Sequence, residues 1–184
     1  MNTKSIRPIV ILAAFLASPF ASMLGSATAR AEDTQDMQPL VQALSKSKLT
    51  LLDGIRQAEK DHGAAISAKF EMEDGKLSLS VYTAEKGLLV GAEENVLEEL
   101  SGSPENRWEP KVEVFKDVPH VARSAEQLAI VALGRTSLAD LIARVQKAQG
   151  GTVFSVKPMI KNHKPVAEIL VANKGKVTKL VRPL

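Results

Sequence analysis

The densest run of side chains that could do chemistry lies near the C-terminal end. Lys157, Lys161, Lys164, Lys174, Lys176, Lys179 and Arg182 follow one another at short intervals. Such a cluster attracts an acidic partner or an anionic surface through its summed field; it also serves as a solvated charged face. Trp108, next but one to Pro110, is a candidate interface anchor, because tryptophan is enriched at binding hot spots, with core packing the competing role. These eight residues are the candidate partner-binding set. His62, His120 and His163 fall at expected helix ends or turns, where solvated histidines are common. The pairs Glu93-Glu94 and Glu98-Glu99 offer hard oxygens for a cation, but equally the outer face of a helix. A metal centre needs three or four converging ligands, and no such spacing is present. Cysteine is absent, which removes thiolate nucleophiles, disulfides and thiolate metal sites. Nucleophile-elbow, phosphate-loop and H-E-x-x-H patterns are missing too. The expectation is a protein with no catalytic residues, no cofactor and no metal.

Charge is unevenly distributed. Residues 32 to 122 carry 10 basic and 18 acidic side chains, and residues 123 to 184 carry 11 basic and 3 acidic. Opposite balances of this kind predict that the two halves face each other, within one chain or between two, giving a monomer or a weak, salt-sensitive dimer. Beyond residue 31 the aromatic residues are Phe70, Tyr82, Trp108, Phe115 and Phe154. That is too few for base-stacking platforms, and nucleic acid is not an expected partner.

Residues 1 to 31 read as a cleavable signal peptide. Lys4 and Arg7 precede the apolar run Ile9 to Leu16, and Ala29-Arg30-Ala31 fits the small-x-small cleavage rule. The run is far shorter than the roughly 20 apolar residues of a membrane-spanning helix. A lipid anchor would need the cysteine that the chain lacks. The expected location is the periplasm or the exterior, without stable membrane insertion after cleavage.

The elements that must position these residues come as an internal repeat. Thr50-Leu51-Leu52-Asp53-Gly54-Ile55 recurs as Ser137-Leu138-Ala139-Asp140-Leu141-Ile142. Thr50 and Ser137 have the character of helix N-caps, with an acidic residue three positions on. A helix follows in each copy and closes on Gly63, or on Gly150 and Gly151. Ile66-Ser67-Ala68-Lys69 then matches Phe154-Ser155-Val156-Lys157, and the apolar period drops to two. Asp74-Gly75 predicts a tight hairpin turn, matched by Asn162-His163. A further run, Val177 to Val181, has Leu88 to Val90 as its expected counterpart. Between the copies, Ala92 to Leu100 reads as a short acidic helix and Lys111 to Phe115 as a strand.

A helix opening [ST]-L-x-D-x-I, a closing glycine, I-S-A-K-F-E and then D-G-K resembles the PepSY domain family. Thr50 to Gly87 is the closer copy, and Ser137 to Leu180 departs at Asn162-His163-Lys164. The resemblance implies an α+β fold with a helix packed on a small antiparallel sheet in each repeat, and no chemistry of its own. Leader and repeat together divide the chain into a signal peptide (1–31), a first repeat (32–91), a connector (92–119) and a second repeat (120–184). PepSY units occur in propeptides of secreted metalloproteases, where they are associated with inhibition. The implied function is a non-catalytic exported protein that binds and modulates another exported protein, as a peptidase inhibitor or regulator. A periplasmic small-ligand or metal-ion binding protein is the alternative.

Overall fold

The computed structural model describes residues 37–184; the leader read at residues 1 to 31 lies outside them. The fold is mixed α+β and mostly sheet. A short helix α1 (Gln38–Ala43) runs into a 3-10 turn (Leu44–Lys46) and then α2 (Leu51–Asp61). Strands β1 (Ala64–Glu73), β2 (Lys76–Ala84), β3 (Leu97–Gly102) and β4 (Lys111–Val114) follow. The second half has α3 (Val118–Leu133), α4 (Leu138–Gln149), β5 (Thr152–Lys161), β6 (Lys164–Asn173) and β7 (Lys176–Pro183).

The two expected small sheets are one. Seven strands pair in the order β4-β3-β2-β1-β5-β6-β7, every neighbour antiparallel. The join is between β1 and β5, where Ala68 opposes Val156 and Lys69 opposes Ser155. Two separate sheets would each leave a first-strand edge open to aggregation; pairing these edges removes both. The core likewise crosses the join. Leu51, Ile55, Leu79 and Val81 from the first half share one cluster with Leu141, Ile142, Val156 and Ile169 from the second.

Each half repeats the same local devices. Thr50 accepts a hydrogen bond from the Asp53 amide, whose carboxylate accepts one from the Thr50 amide in return. Ser137 accepts from the Asp140 amide. Beyond the helix, the β1–β2 register slips between Ala65 and Ser67, and the β5–β6 register slips between Val153 and Ser155. These are matching β-bulges, and they turn the residue at the bulge out of phase. Ile66 therefore does not share a face with Ala68, as simple alternation predicts; it joins Ala84, Leu97, Phe115 and Leu128 on the opposite side of the sheet. Helices α2 and α4 cover one face, and α3 crosses the other. Gly54 brings α2 close to the sheet: a Cβ there would press on Leu79.

Two further expectations are corrected. The acidic helix over Ala92 to Leu100 is a turn followed by β3. Leu97 and Leu100, three apart, mimic a helical stripe, but on a strand three positions put side chains on opposite faces. Leu97 enters the smaller cluster and Leu100 the main core. The counterpart of β7 is accordingly β3, and Leu88 to Val90 form a turn. Asn95 fastens that excursion. Its side-chain oxygen accepts from the amides of Lys86 and Val96, and its amide donates to the carbonyls of Gly87 and Val90.

The charged halves do not meet through charge. Every ion pair among the described residues stays within one half, as in His62–Glu98, Lys69–Glu71 and Lys179–Glu168. Backbone pairing and apolar packing join the halves, since exposed pairs contribute at most about 1 kcal/mol each.

Backbone conformation gives two tests. His163 is held at φ +61°, where Asp74-Gly75 has its glycine at +75°. His163→Gly should raise stability by about 1 kcal/mol in urea unfolding. Gly63 and Gly75 share a positive φ, but a Cβ on Gly63 would overlap the carbonyl oxygens of Ala84 and Glu85, whereas at Gly75 nothing lies within 4 Å. Gly75→Ala should cost about 1 kcal/mol, and Gly63→Ala clearly more by the same measurement.

Candidate functional site

Two concavities stand out among the described residues. The larger, about 370 Å³, is a groove between α4 and β7, with Arg144, Val145 and Leu141 on one wall and Arg182, Pro183 and Leu184 on the other. The second, about 230 Å³, lies between the N-terminal half of α3 and the polar face of the sheet at the β1–β5 join.

The second cavity is built from the repeat. The bulges place Ser67 and Ser155 on the α3 side, and two residues on in each strand Lys69 and Lys157 share that side. Antiparallel pairing sets Lys69 opposite Ser155. Two copies of one Ser-x-Lys segment therefore meet head to head. Helix α3 supplies the roof. Asp117 caps it by accepting from the His120 amide at 3.2 Å, and Pro119 sits in the first turn, where no amide donor is needed. The His120 ring lies against Phe115 with centroids 5.1 Å apart, and Phe115 stacks on Tyr82 at 6.1 Å. These three rings dock the start of α3 on the sheet. From the roof come Arg123 at the mouth and Ser124 and Gln127 deeper in.

The electrostatics are cationic. His120 Nδ1 lies 2.8 Å from Asp117, and this hydrogen bond is the main reason that the Asp117 carboxyl is held below the usual carboxylate range. Lys69 pairs with Glu71 and sits over the Tyr82 ring, 5.8 Å from its centroid. Burial, reinforced by the carboxylates of Glu99 and Glu71, pushes the Tyr82 phenol far above its ordinary range, so it stays protonated. Arg123 and Lys157 have no carboxylate partner among the described residues.

The candidate basic cluster is dispersed. Lys161 and Lys164 flank the β5–β6 turn, while Lys174 and Lys176 sit at the β6–β7 turn, at the opposite end of β6. Lys179 pairs with Glu168 at 3.1 Å. Arg182 lines the α4–β7 groove and Lys157 the α3 cavity. Trp108 is corrected: it is 1% exposed within the main core and offers no surface to a partner. Its carbonyl accepts from Gln57 of α2 at 2.9 Å. His62 is also no free loop residue, since its Nδ1 lies 2.9 Å from the buried Glu98 carboxylate. No group of three or more His, Asp or Glu side chains among the described residues is placed to hold a metal ion. No helix among them is long and apolar enough to cross a membrane.

Arg123, Ser124 and Gln127 escaped the sequence reading because nothing local marks them; they matter only once α3 lies across the join. Lys69 and Lys157 carried a signal, the repeated Ser-x-Lys.

No protein-family model matches the chain, and no curated protein does. Among solved structures, a candidate lipoprotein of Clostridium difficile 630 aligns over 75% of this chain and 95% of its own, at 14% identity and a TM-score of 0.31.

Core and anchor roles for Trp108 separate by mutation. The Trp108 Nε1 donor is buried with no hydrogen-bond partner. Trp108→Ala should cost about 3 to 5 kcal/mol in chemical unfolding. Trp108→Phe should cost far less, because it removes an unpaired donor along with the volume.

Proposed function

We propose that this chain is an exported, PepSY-like protein without catalytic chemistry that binds and modulates another exported protein, a peptidase being the partner class the resemblance suggests. The PepSY reading is supported by the shared devices of the two halves: a capped helix, a positive-φ glycine, a bulge three residues later and a tight turn at matching places. The leader read at residues 1 to 31 supports export.

The observation that carries the binding role is the β7 edge. It spans Lys176–Pro183 at the end of the sheet, and the backbone groups on its outer side have no neighbouring strand among the described residues. Extended segments of partner proteins add to such edges, with main-chain hydrogen bonds for affinity and pockets for alternate side chains. The α4–β7 groove lies beside it and can take those side chains. Lys176, Lys179 and Arg182 stand on the strand with no acidic residue among them. Lysines on an edge repel a second copy of the same edge and suit an acidic segment. A periplasmic small-ligand protein is the second reading, favoured by the cavity beneath α3.

Pulldown from the export compartment, with inhibition assays on peptidases exported alongside, tests the first reading. A partner retained by the native chain should be held about tenfold more weakly by a Lys176→Glu, Arg182→Glu double variant. Unchanged retention after that reversal, or no partner and no inhibition, would remove the β7 reading.

A further inference from the structure

We infer that the cavity under α3 is a binding site for a compact oxyanion of phosphate or sulfate size. This site is separate from the β7 edge and stands whether or not a protein partner binds there.

Three observations converge. The first is charge. Arg123 and Lys157 face the cavity with no carboxylate of their own among the described residues, and Lys69 adds a third cation beside them. Each nearby carboxylate is otherwise engaged. Glu71 takes Lys69 and the Ser80 hydroxyl, Asp117 takes His120, Glu168 takes Lys179, and Glu99 lies beside the Tyr82 phenol. The second is the buried polar lining. Ser124 is 2% exposed and Gln127 6%, and both line the cavity. Polar side chains turned into a small cavity can hydrogen-bond directly to a ligand held there. The groups on offer are rich in donors: a guanidinium, two ammonium groups, the hydroxyls of Ser124 and Ser155, and the Gln127 amide. Ser67 has its hydroxyl donated to the Val156 carbonyl at 3.2 Å and completes the wall.

The third is size. Drug-sized ligands occupy clefts of roughly 300 to 1,000 Å³. At about 230 Å³ the cavity suits something smaller. An oxyanion accepts on every oxygen, which matches the basic and hydroxyl side chains of a lining completed by the Tyr82 and Phe115 rings; a cation does not. The duplicated Ser-x-Lys segments make the donor set nearly two-fold about the β1–β5 join, with α3 adding Arg123 from above.

The test is a titration of the full chain with inorganic phosphate, followed by NMR on the Gln127 side-chain amide and the Arg123 Nε–H. Sodium chloride at equal ionic strength is the control. Saturable shifts confined to the cavity are expected with phosphate and not with chloride. Arg123→Gln, an exposed change at the mouth that leaves the fold intact by circular dichroism, should weaken binding about tenfold or more. Lys157→Gln should act in the same direction. Lys60→Gln, on the outer face of α2, should change nothing. Shifts that never saturate, that spread evenly over the surface lysines, or that respond equally to Arg123→Gln and Lys60→Gln would overturn the proposal.

Discussion

The antiparallel contact between β1 and β5 is the interaction on which the rest of the molecule depends. Only a short stretch pairs there, around Ala68 with Val156 and Lys69 with Ser155. It nonetheless joins a four-stranded and a three-stranded unit into a single seven-stranded sheet and merges their apolar faces. Neither unit has a large core of its own. Small units bury a lower fraction of their surface and are only marginally stable, whereas the merged core runs from Leu51 to Ile169 across the join. With no cysteine available, this packing has to do what disulfides do in many small exported domains.

The same contact makes the polar face unusual. The bulges at Ile66 and Phe154 each put a large apolar side chain and a serine out of simple alternation. Ile66 is drawn into the cluster with Leu128 of α3 and Phe115, while the serine beside it turns to the cavity. Docking of α3 is thus both apolar and polar. Leu128 and the ring stack of Tyr82, Phe115 and His120 hold it, and the space left between its first turns and the lysines is donor-lined. A helix that covered an all-apolar face would leave no such space.

The basic side chains show how little a linear cluster says about a surface. Alternation along β7 sends neighbours to opposite faces, and the two turns of β6 send Lys161 and Lys164 to one end and Lys174 and Lys176 to the other. What is dense in sequence becomes an edge, two turns and two cavity walls. Salt and solvent screen such dispersed charges, which is why charge asymmetry does not organise the fold and the β1–β5 join does.

Local chemistry determined what could be read without coordinates. Thr50 with Asp53 and Ser137 with Asp140 are caps written in adjacent residues, Asp74-Gly75 is a turn written in two, and the repeat itself is a matter of order along the chain. The mixed α+β class and the places of α2, α4, β1, β2, β4, β5, β6 and β7 follow from these signals and from alternation along the strands. Tertiary structure alone decided the rest. The Leu97 and Leu100 spacing fits a helix as well as a strand buried on both faces, and only pairing with β2 chooses between them. Trp108 reads as an anchor or as core until Gln57 and the main cluster close over it. The cavity has no local trace beyond the doubled Ser-x-Lys, because its geometry comes from two strands far apart in sequence and from a helix laid across both.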